Sequence, residues 1–297
     1  SIPAIGALVP DVVEEDLLPQ ANAIRGVAMT GAWMLGPLIG GFSVATWGIE
    51  VCLILDVVTF AFSALVLWTI PGIPVNREEG GNLREEVTEA WSFVKTQPWL
   101  FAGIAMFMIW HIGDSAIEIG VPFIIENNGL GAKEFGVFGA VGAGGAMVGS
   151  VIGGIRPVPK EIRGLVFYVL IGGIAWCMLM WAMPIPFLLI LVFVLLEGVL
   201  GGTLGVIWRT TMSDSVDQHL RGRVNSLDAI GSLIFIPLAP LMGGWMIEET
   251  NVLTTFSVAV SFMVLTTMAG LVVPSFRRFE RVDSDLFPIG TDRSQSD

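Results

Sequence analysis

Residues 11–42 read DVVEEDLLPQANAIRGVAMTGAWMLGPLIGGF, and residues 214–245 read DSVDQHLRGRVNSLDAIGSLIFIPLAPLMGGW. Laid over one another at a constant shift of 203 (214 minus 11), the two stretches share nine identities in thirty-two positions without a gap. Asp11 falls on Asp214, Leu17 on Leu220, Asn22 on Asn225 and Pro37 on Pro240, while Gly40-Gly41 falls on Gly243-Gly244. Each copy is a polar loop followed by an apolar stretch, with a proline about two-thirds along it and a glycine pair near its far end. The next apolar stretches, residues 49–71 and 253–274, pair in the same way. Both copies run in one direction, which is the signature of two halves related by an axis along a membrane normal.

Composition places those stretches in a membrane. Apolar residues make up 54 % of the 297, charged residues 14 %, and the mean hydropathy is +0.76. A soluble domain carries about 25 % charge, so a soluble fold is excluded. Eight stretches reach the ~20 residues that a helix needs to cross hydrocarbon: 24–47, 49–71, 99–125, 134–155, 164–183, 187–208, 224–247 and 253–274. They are apolar all round rather than alternating, which excludes barrel strands. The fold class is therefore an all-α polytopic membrane protein. Cys52 and Cys177 both lie in apolar runs, and the two histidines stand far apart, so neither a disulfide framework nor a metal site is expected. A net charge of −12 does not suit nucleic acid. The Gly-rich run 139–145 is not a phosphate loop, because no Gly-Lys-Ser/Thr follows it. No cofactor is expected.

Orientation follows from the fifteen Lys and Arg residues. If the connection at 72–98 faces the cytoplasm, fourteen of them lie inside and only Lys133 lies outside, which obeys the positive-inside rule. The C-terminus is then cytoplasmic, in the cell membrane. Residues 83–99 read as an amphipathic helix with Val87, Ala90, Trp91 and Val94 on one stripe, lying on the cytoplasmic surface. The expected organisation is two spans ending an N-terminal half (1–74), a central cytoplasmic loop with that helix (75–98), a six-helix half (99–274) and a polar tail (275–297). Spans three to six have no counterparts 203 residues earlier. A complete repeat therefore predicts four further spans before Ser1; the alternative is an eight-span protein with one partly repeated pair.

Several segments carry a family resemblance: Pro3-Ala4, Val9-Pro10, Glu15-Asp16-Leu17 into Ala21-Asn22-Ala23, Leu35-Gly36-Pro37 with Gly40-Gly41, and Leu55-Asp56-Val57 with Thr59-Phe60. Leu220-Arg221-Gly222-Arg223-Val224-Asn225-Ser226 is the most specific of them. Over nearly its whole length the chain resembles the major facilitator superfamily, in its drug-exporter branch with macrolide-efflux and siderophore-exporter proteins. The resemblance implies that the eight spans are helices five to twelve of twelve. It also implies that the third and sixth of them line a central cavity. One departure is plain. The loop from Gly153-Gly154 to Arg163-Gly164 keeps basic residues but lacks the acidic–basic pair of the superfamily's loop signature.

Ionisable residues deep in a bilayer cost from about 2.5 to more than 10 kcal/mol and need a reason to be there. His111, Asp114 and Glu118 stand at i, i+3 and i+7, on one helical face, and Glu197 lies ten residues into the sixth span. The functional reading makes these four a polar cavity lining that binds and releases protons or substrate, since a carboxyl withdrawn from water favours its neutral form and imidazole is a natural relay. The plainer reading has them bonding neighbouring helices, with Glu118 reaching the headgroups. Arg25, Arg221, Arg223 and Asp228 fall at the cytoplasmic helix ends, as gate or loop residues. Asp228, placed in the first turn of its span, also complements a helix N-terminus. Gly145, Gly149 and Gly153 repeat at four-residue steps and suit close helix packing. Gly36-Pro37 and Pro237 with Pro240 supply bends.

The chain is expected to be a secondary transporter, not an enzyme. It would export a small amphipathic compound, drug- or macrolide-like or siderophore-like, against a proton influx by alternating access, as a monomer among lipids. A non-transporting eight-span remnant or scaffold is the alternative. An intramembrane enzyme has less support, because His219 lies in a loop and no nucleophile–base pair is visible.

Overall fold

The structure is a computed structural model that describes residues 13, 17–69, 83–235 and 238–275. The side chains of Arg25 and Pro37, and all of Pro237, lie outside the described residues. Those described are helices joined by short turns, with no strand among them. Six helices are long and apolar enough to cross a membrane: Ile49–Thr69, Pro98–Asn127, Ala132–Ile155, Lys160–Trp181, Phe187–Ser215 and Val252–Gly270. In hydrocarbon no water meets exposed backbone, so a helix that bonds all its own N–H and C=O groups is the stable form of such a stretch.

Helix α1 (Leu18–Trp47) is continuous over 30 residues. It turns into α2 (Ile49–Thr69) at Gly48, whose φ of +82° is a left-handed conformation that a side chain rarely tolerates. No residue of α2 is buried, and Trp68 is 89 % exposed. Next comes α3 (Leu83–Thr96), the amphipathic segment. Its buried stripe is Ala90, Phe93 and Val94, whereas Trp91 is exposed, edge-on to Phe101 and beneath the Lys95 ammonium. This helix does not stand alone: it packs on α4 (Pro98–Glu118) and on α9 (Gln218–Leu233). Glu89 accepts a charge-assisted bond from Arg223 and ties α3 to α9.

Two residues after α4, α5 (Val121–Asn127) continues the same crossing. Helices α6 (Ala132–Ile155), α7 (Arg163–Trp181) and α8 (Phe187–Ser215) follow, then α9, α10 (Ala239–Glu249) and α11 (Val252–Gly270). α8 packs on both α6 and α7, α1 packs on α6, and α11 packs on α4 and α7. Trp99, Phe167, Ile171, Ile190, Phe256 and Met263 are fully enclosed between these helices. The stretch 224–247, expected as one span, is two helices. α9 begins at Gln218 and stops at Leu233, and α10 restarts at Ala239 with Pro240 in its first turn. Proline there forfeits no intrahelical bond. The matching Pro37 lies inside unbroken α1, where Met34 stands in place of Pro237.

One close helix contact has glycines on both sides. A Cβ on Gly145 or Gly149 would overlap the carbonyl oxygens of Leu195 and Val199, and a Cβ on Gly198 or Gly202 would overlap those of Gly142 and Ala146. α6 and α8 therefore touch backbone to backbone, as small residues at four-residue steps permit. The Thr203 hydroxyl lies 3.0 Å from the Gly149 carbonyl and 2.8 Å from that of Val199, and the Ser150 hydroxyl donates to Gly202 at 3.5 Å. Gly153 meets the Val206 side chain instead. At the basic end of the bundle, buried Arg163 donates to Asp214 at 2.7 Å and to the Val158 carbonyl at 3.0 Å. Lys160 adds a looser contact to Asp214 at 4.0 Å.

Gly149→Val should force α6 and α8 apart and cost about 1–3 kcal/mol, read as a melting temperature several degrees lower in detergent. Gly144→Ala has open space at its Cβ and should leave the melting temperature unchanged or slightly raised. Arg163→Met should cost about 2 kcal/mol by removing charge-assisted bonds, and Arg163→Lys should recover only part of it, since lysine cannot reproduce both guanidinium contacts.

Candidate functional site

The spacing of side chains along four helices produces one internal cavity. On α4, Phe107, Trp110, His111, Asp114 and Glu118 recur every three or four residues. They line a single face about 16 Å long. On α8, Glu197, Gly201, Leu204, Gly205 and Trp208 recur with the same period. α7 contributes Ile174, Met178 and Trp181, and α9 contributes Asp228 and Ser232. The space they enclose is about 420 Å³. It exists partly because Gly201 and Gly205 carry no side chain to fill it, and the Glu197 carboxylate folds to 3.5 Å from where a Gly201 Cβ would stand.

His111, Asp114 and Glu118, picked out by helical spacing, and Glu197, picked out by its depth in the sixth span, thus lie on one cavity. Asp114 and Glu118 come from α4 and Glu197 from α8, so carboxyls of two helices share one cavity. The His111 Nδ1 stands 2.7 Å from the Phe107 carbonyl oxygen. A carbonyl only accepts, so Nδ1 carries the hydrogen of this bond. The ring is held edge-on to Trp110, with centroids 5.6 Å apart. Phe107 and Trp208 meet edge to face at 5.0 Å, and Phe107 meets Phe167 at 5.6 Å. This aromatic cluster closes the wall behind the carboxyls.

Asp228 is placed differently from the sequence expectation. α9 starts at Gln218, so Asp228 is its eleventh residue rather than a first-turn residue, and the helix N-terminus is too distant to explain it. Its side chain lines the cavity and accepts the Trp208 indole N–H at 3.1 Å. Arg221 and Arg223 sit outside the cavity: Arg221 donates to the carbonyls of Ser213 (2.9 Å) and Val216 (3.3 Å), and Arg223 holds Glu89. The structure also brings forward residues that the sequence reading did not single out, namely Trp110, Trp181 and Trp208. The signal for Trp208 was present, because it lies eleven residues after Glu197, three helical turns along the same face. Among the described residues no group of three or more His, Cys, Asp or Glu is arranged to hold a metal ion.

The sequence profile described as the Major Facilitator Superfamily matches residues 1–240. Among curated proteins, the chain is 23 % identical over 303 residues to the "Enterobactin exporter EntS" of Escherichia coli O6:K15:H31 (strain 536 / UPEC), covering 98 % of this chain and 70 % of that protein. It is 24 % identical over 293 residues to the proteins of the same name from Escherichia coli O127:H6 (strain E2348/69 / EPEC) and Shigella boydii serotype 4 (strain Sb227), covering 94 % of this chain and 67 % of each relative. No solved structure matches the chain. A profile that spans four-fifths of the sequence, on an all-helical membrane architecture with a polar cavity between its helices, settles the assignment: the chain belongs to the Major Facilitator Superfamily of membrane transporters.

Proposed function

We propose that this transporter is a proton-coupled exporter of small amphipathic compounds, drug- or macrolide-like or siderophore-like, working by alternating access in the cell membrane. The observation that carries the reading is the convergence of Asp114, Glu118, Glu197, Asp228 and His111 on one cavity between α4, α8 and α9. Carboxyls that exchange water for a substrate or for a closed wall change their hold on a proton, and that change is what couples the two fluxes. The exporter name of the relatives supports the outward direction.

In this reading eight helices cross the bilayer. α1 belongs with them by its length, and α9 with α10 make one crossing that is broken midway. Residues 1–74 end one half, 75–98 connect, 99–274 form the six-crossing half and 275–297 are a cytoplasmic tail. The ends bearing Arg163, Arg221 and Arg223 face the cytoplasm, together with Arg25. Arg221 and Arg223 then work as latches at the cytoplasmic end, while Asp228 works inside the cavity. The partners are lipid, protons and the exported compound, and the working unit is the monomer.

The test is Glu197→Gln in the intact gene product, with uncoupler-sensitive efflux of a fluorescent macrolide followed in energised cells. Glutamine is a permanently neutral stand-in for the protonated carboxyl. Efflux should fall to background and lose its dependence on the proton gradient, while the amount inserted in the membrane stays at the wild-type level. Full efflux by a correctly inserted variant would remove Glu197 from the mechanism.

A further inference from the structure

We propose that the corner between α3 and α4 is a docking site for one anionic phospholipid. The Lys95 ammonium takes its phosphate, and the rings of Trp91 and Phe101 take the glycerol ester and the first part of an acyl chain. The proposal concerns the membrane surface and does not depend on what the cavity carries.

The corner is made by local sequence. Pro98 pushes the residue before it out of helical backbone, and Gln97 stands at φ −110° and ψ 89°. Pro98 then opens α4, where its missing N–H forfeits no intrahelical bond. α3 therefore folds back over the start of the crossing. The ring centroids of Trp91 and Phe101 lie 6.1 Å apart, edge to face, whereas ten residues of unbroken helix would set them about 15 Å apart. The fold-back puts Trp91 beside the first turn of the crossing that begins at Pro98, at the level where headgroups meet hydrocarbon.

One face of this corner is bare. Phe93, Val94 and Trp99 are buried, but Trp91 and Phe101 are 40 % and 44 % exposed, and Lys95 is exposed beside them. Two bare rings are poorly placed against water and well placed against the ester layer of a bilayer, where an indole offers both an apolar body and an N–H. Lys95 stands 5.3 Å over the Trp91 ring and has no carboxylate partner among the described residues. Glu89 of the same helix is held by Arg223.

The contacts thus run Phe101, Trp91, Lys95, from the crossing helix to the ammonium. A phospholipid carries acyl chain, ester and phosphate in the same order. Charge then selects the headgroup. A phosphate with no cation of its own complements the ammonium, and a lysine at the membrane surface favours anionic lipid. A choline headgroup brings a second cation to the same place and gains less.

The purified full chain is mixed with equal amounts of phosphatidylglycerol and phosphatidylcholine bearing identical acyl chains, and retained lipid is counted by native mass spectrometry. Phosphatidylglycerol should be retained about fivefold over phosphatidylcholine, the size expected of one lysine facing an anionic lipid. Lys95→Gln should abolish the preference, and Lys95→Arg should keep it. Trp91→Ala should lower retention of both lipids. Lys160→Gln removes another exposed lysine of the basic end and should leave the preference unchanged. Phosphatidylglycerol with a diazirine at the start of its acyl chain should label the peptide that holds residues 91–101. Equal retention of the two lipids by the unaltered chain would overturn the proposal, and that outcome needs no variant to fold. An effect of Lys160→Gln as large as that of Lys95→Gln would overturn it too, by showing a diffuse attraction of the basic end. So would a label confined to other peptides, or displacement of the lipid by inorganic phosphate, which would make this a site for a free anion.

Discussion

The architecture depends on the backbone contact between α6 and α8. Gly145 and Gly149 on one helix and Gly198 and Gly202 on the other bring the main chains so close that no side chain fits between them. In lipid there is little hydrophobic drive for two apolar helices to associate, so close van der Waals contact and hydroxyl-to-carbonyl bonds must do it. Thr203 and Ser150 supply those bonds at the same seam. With one face of α8 fixed in this way, its other face is free to carry polar groups. Glu197 and Trp208 lie on that second face, with Gly201 and Gly205 between them opening the space they look into.

The same helix thus uses glycine in two opposed ways. At 198 and 202 the missing side chain lets a neighbouring backbone in. At 201 and 205 it leaves room on the cavity side, where only the ends of the Glu197 and Arg209 side chains come within 4 Å. Around that room, acidic groups are set in an aromatic frame of Trp110, Trp181, Trp208 and Phe107. Among the described residues the ion pair of Arg163 and Asp214 stands apart from this, at the basic end, where it joins α7 to the end of α8.

Much of this was legible in the sequence. Periodicity and length gave the helices because hydrocarbon leaves a long apolar stretch few alternatives, and the glycine steps of α6 advertised a close contact. The face of α4 bearing His111, Asp114 and Glu118 could be read from spacing alone. What spacing does not contain is which faces of different helices meet. Asp228 looked like a helix-end residue because its helix was taken to begin at 224, and the six residues from Gln218 move it from an end to the interior. The partner glycines of α8 were equally hidden, since a small residue in an apolar run looks the same whether it faces lipid or a neighbouring backbone. Arg163 gave no sign of its burial either, because its acceptor, Asp214, lies on another helix.

The two copies of the internal repeat differ in mechanical character. α1 runs as a stiff rod for 30 residues, whereas its counterpart is jointed between Leu233 and Ala239. The two parts beside the joint answer to different neighbours. The α9 part carries Asp228 at the cavity and is latched to the connector helix through Arg223 and Glu89, while the α10 part is seated through Gly243 on the backbone of Ala116. The break interrupts the helical hydrogen-bond ladder, so the two parts are held by separate sets of contacts, whereas the unbroken ladder of the first copy ties its whole length together. A transporter assembled from repeated units has, in this pair, one member that is continuous and one that is divided.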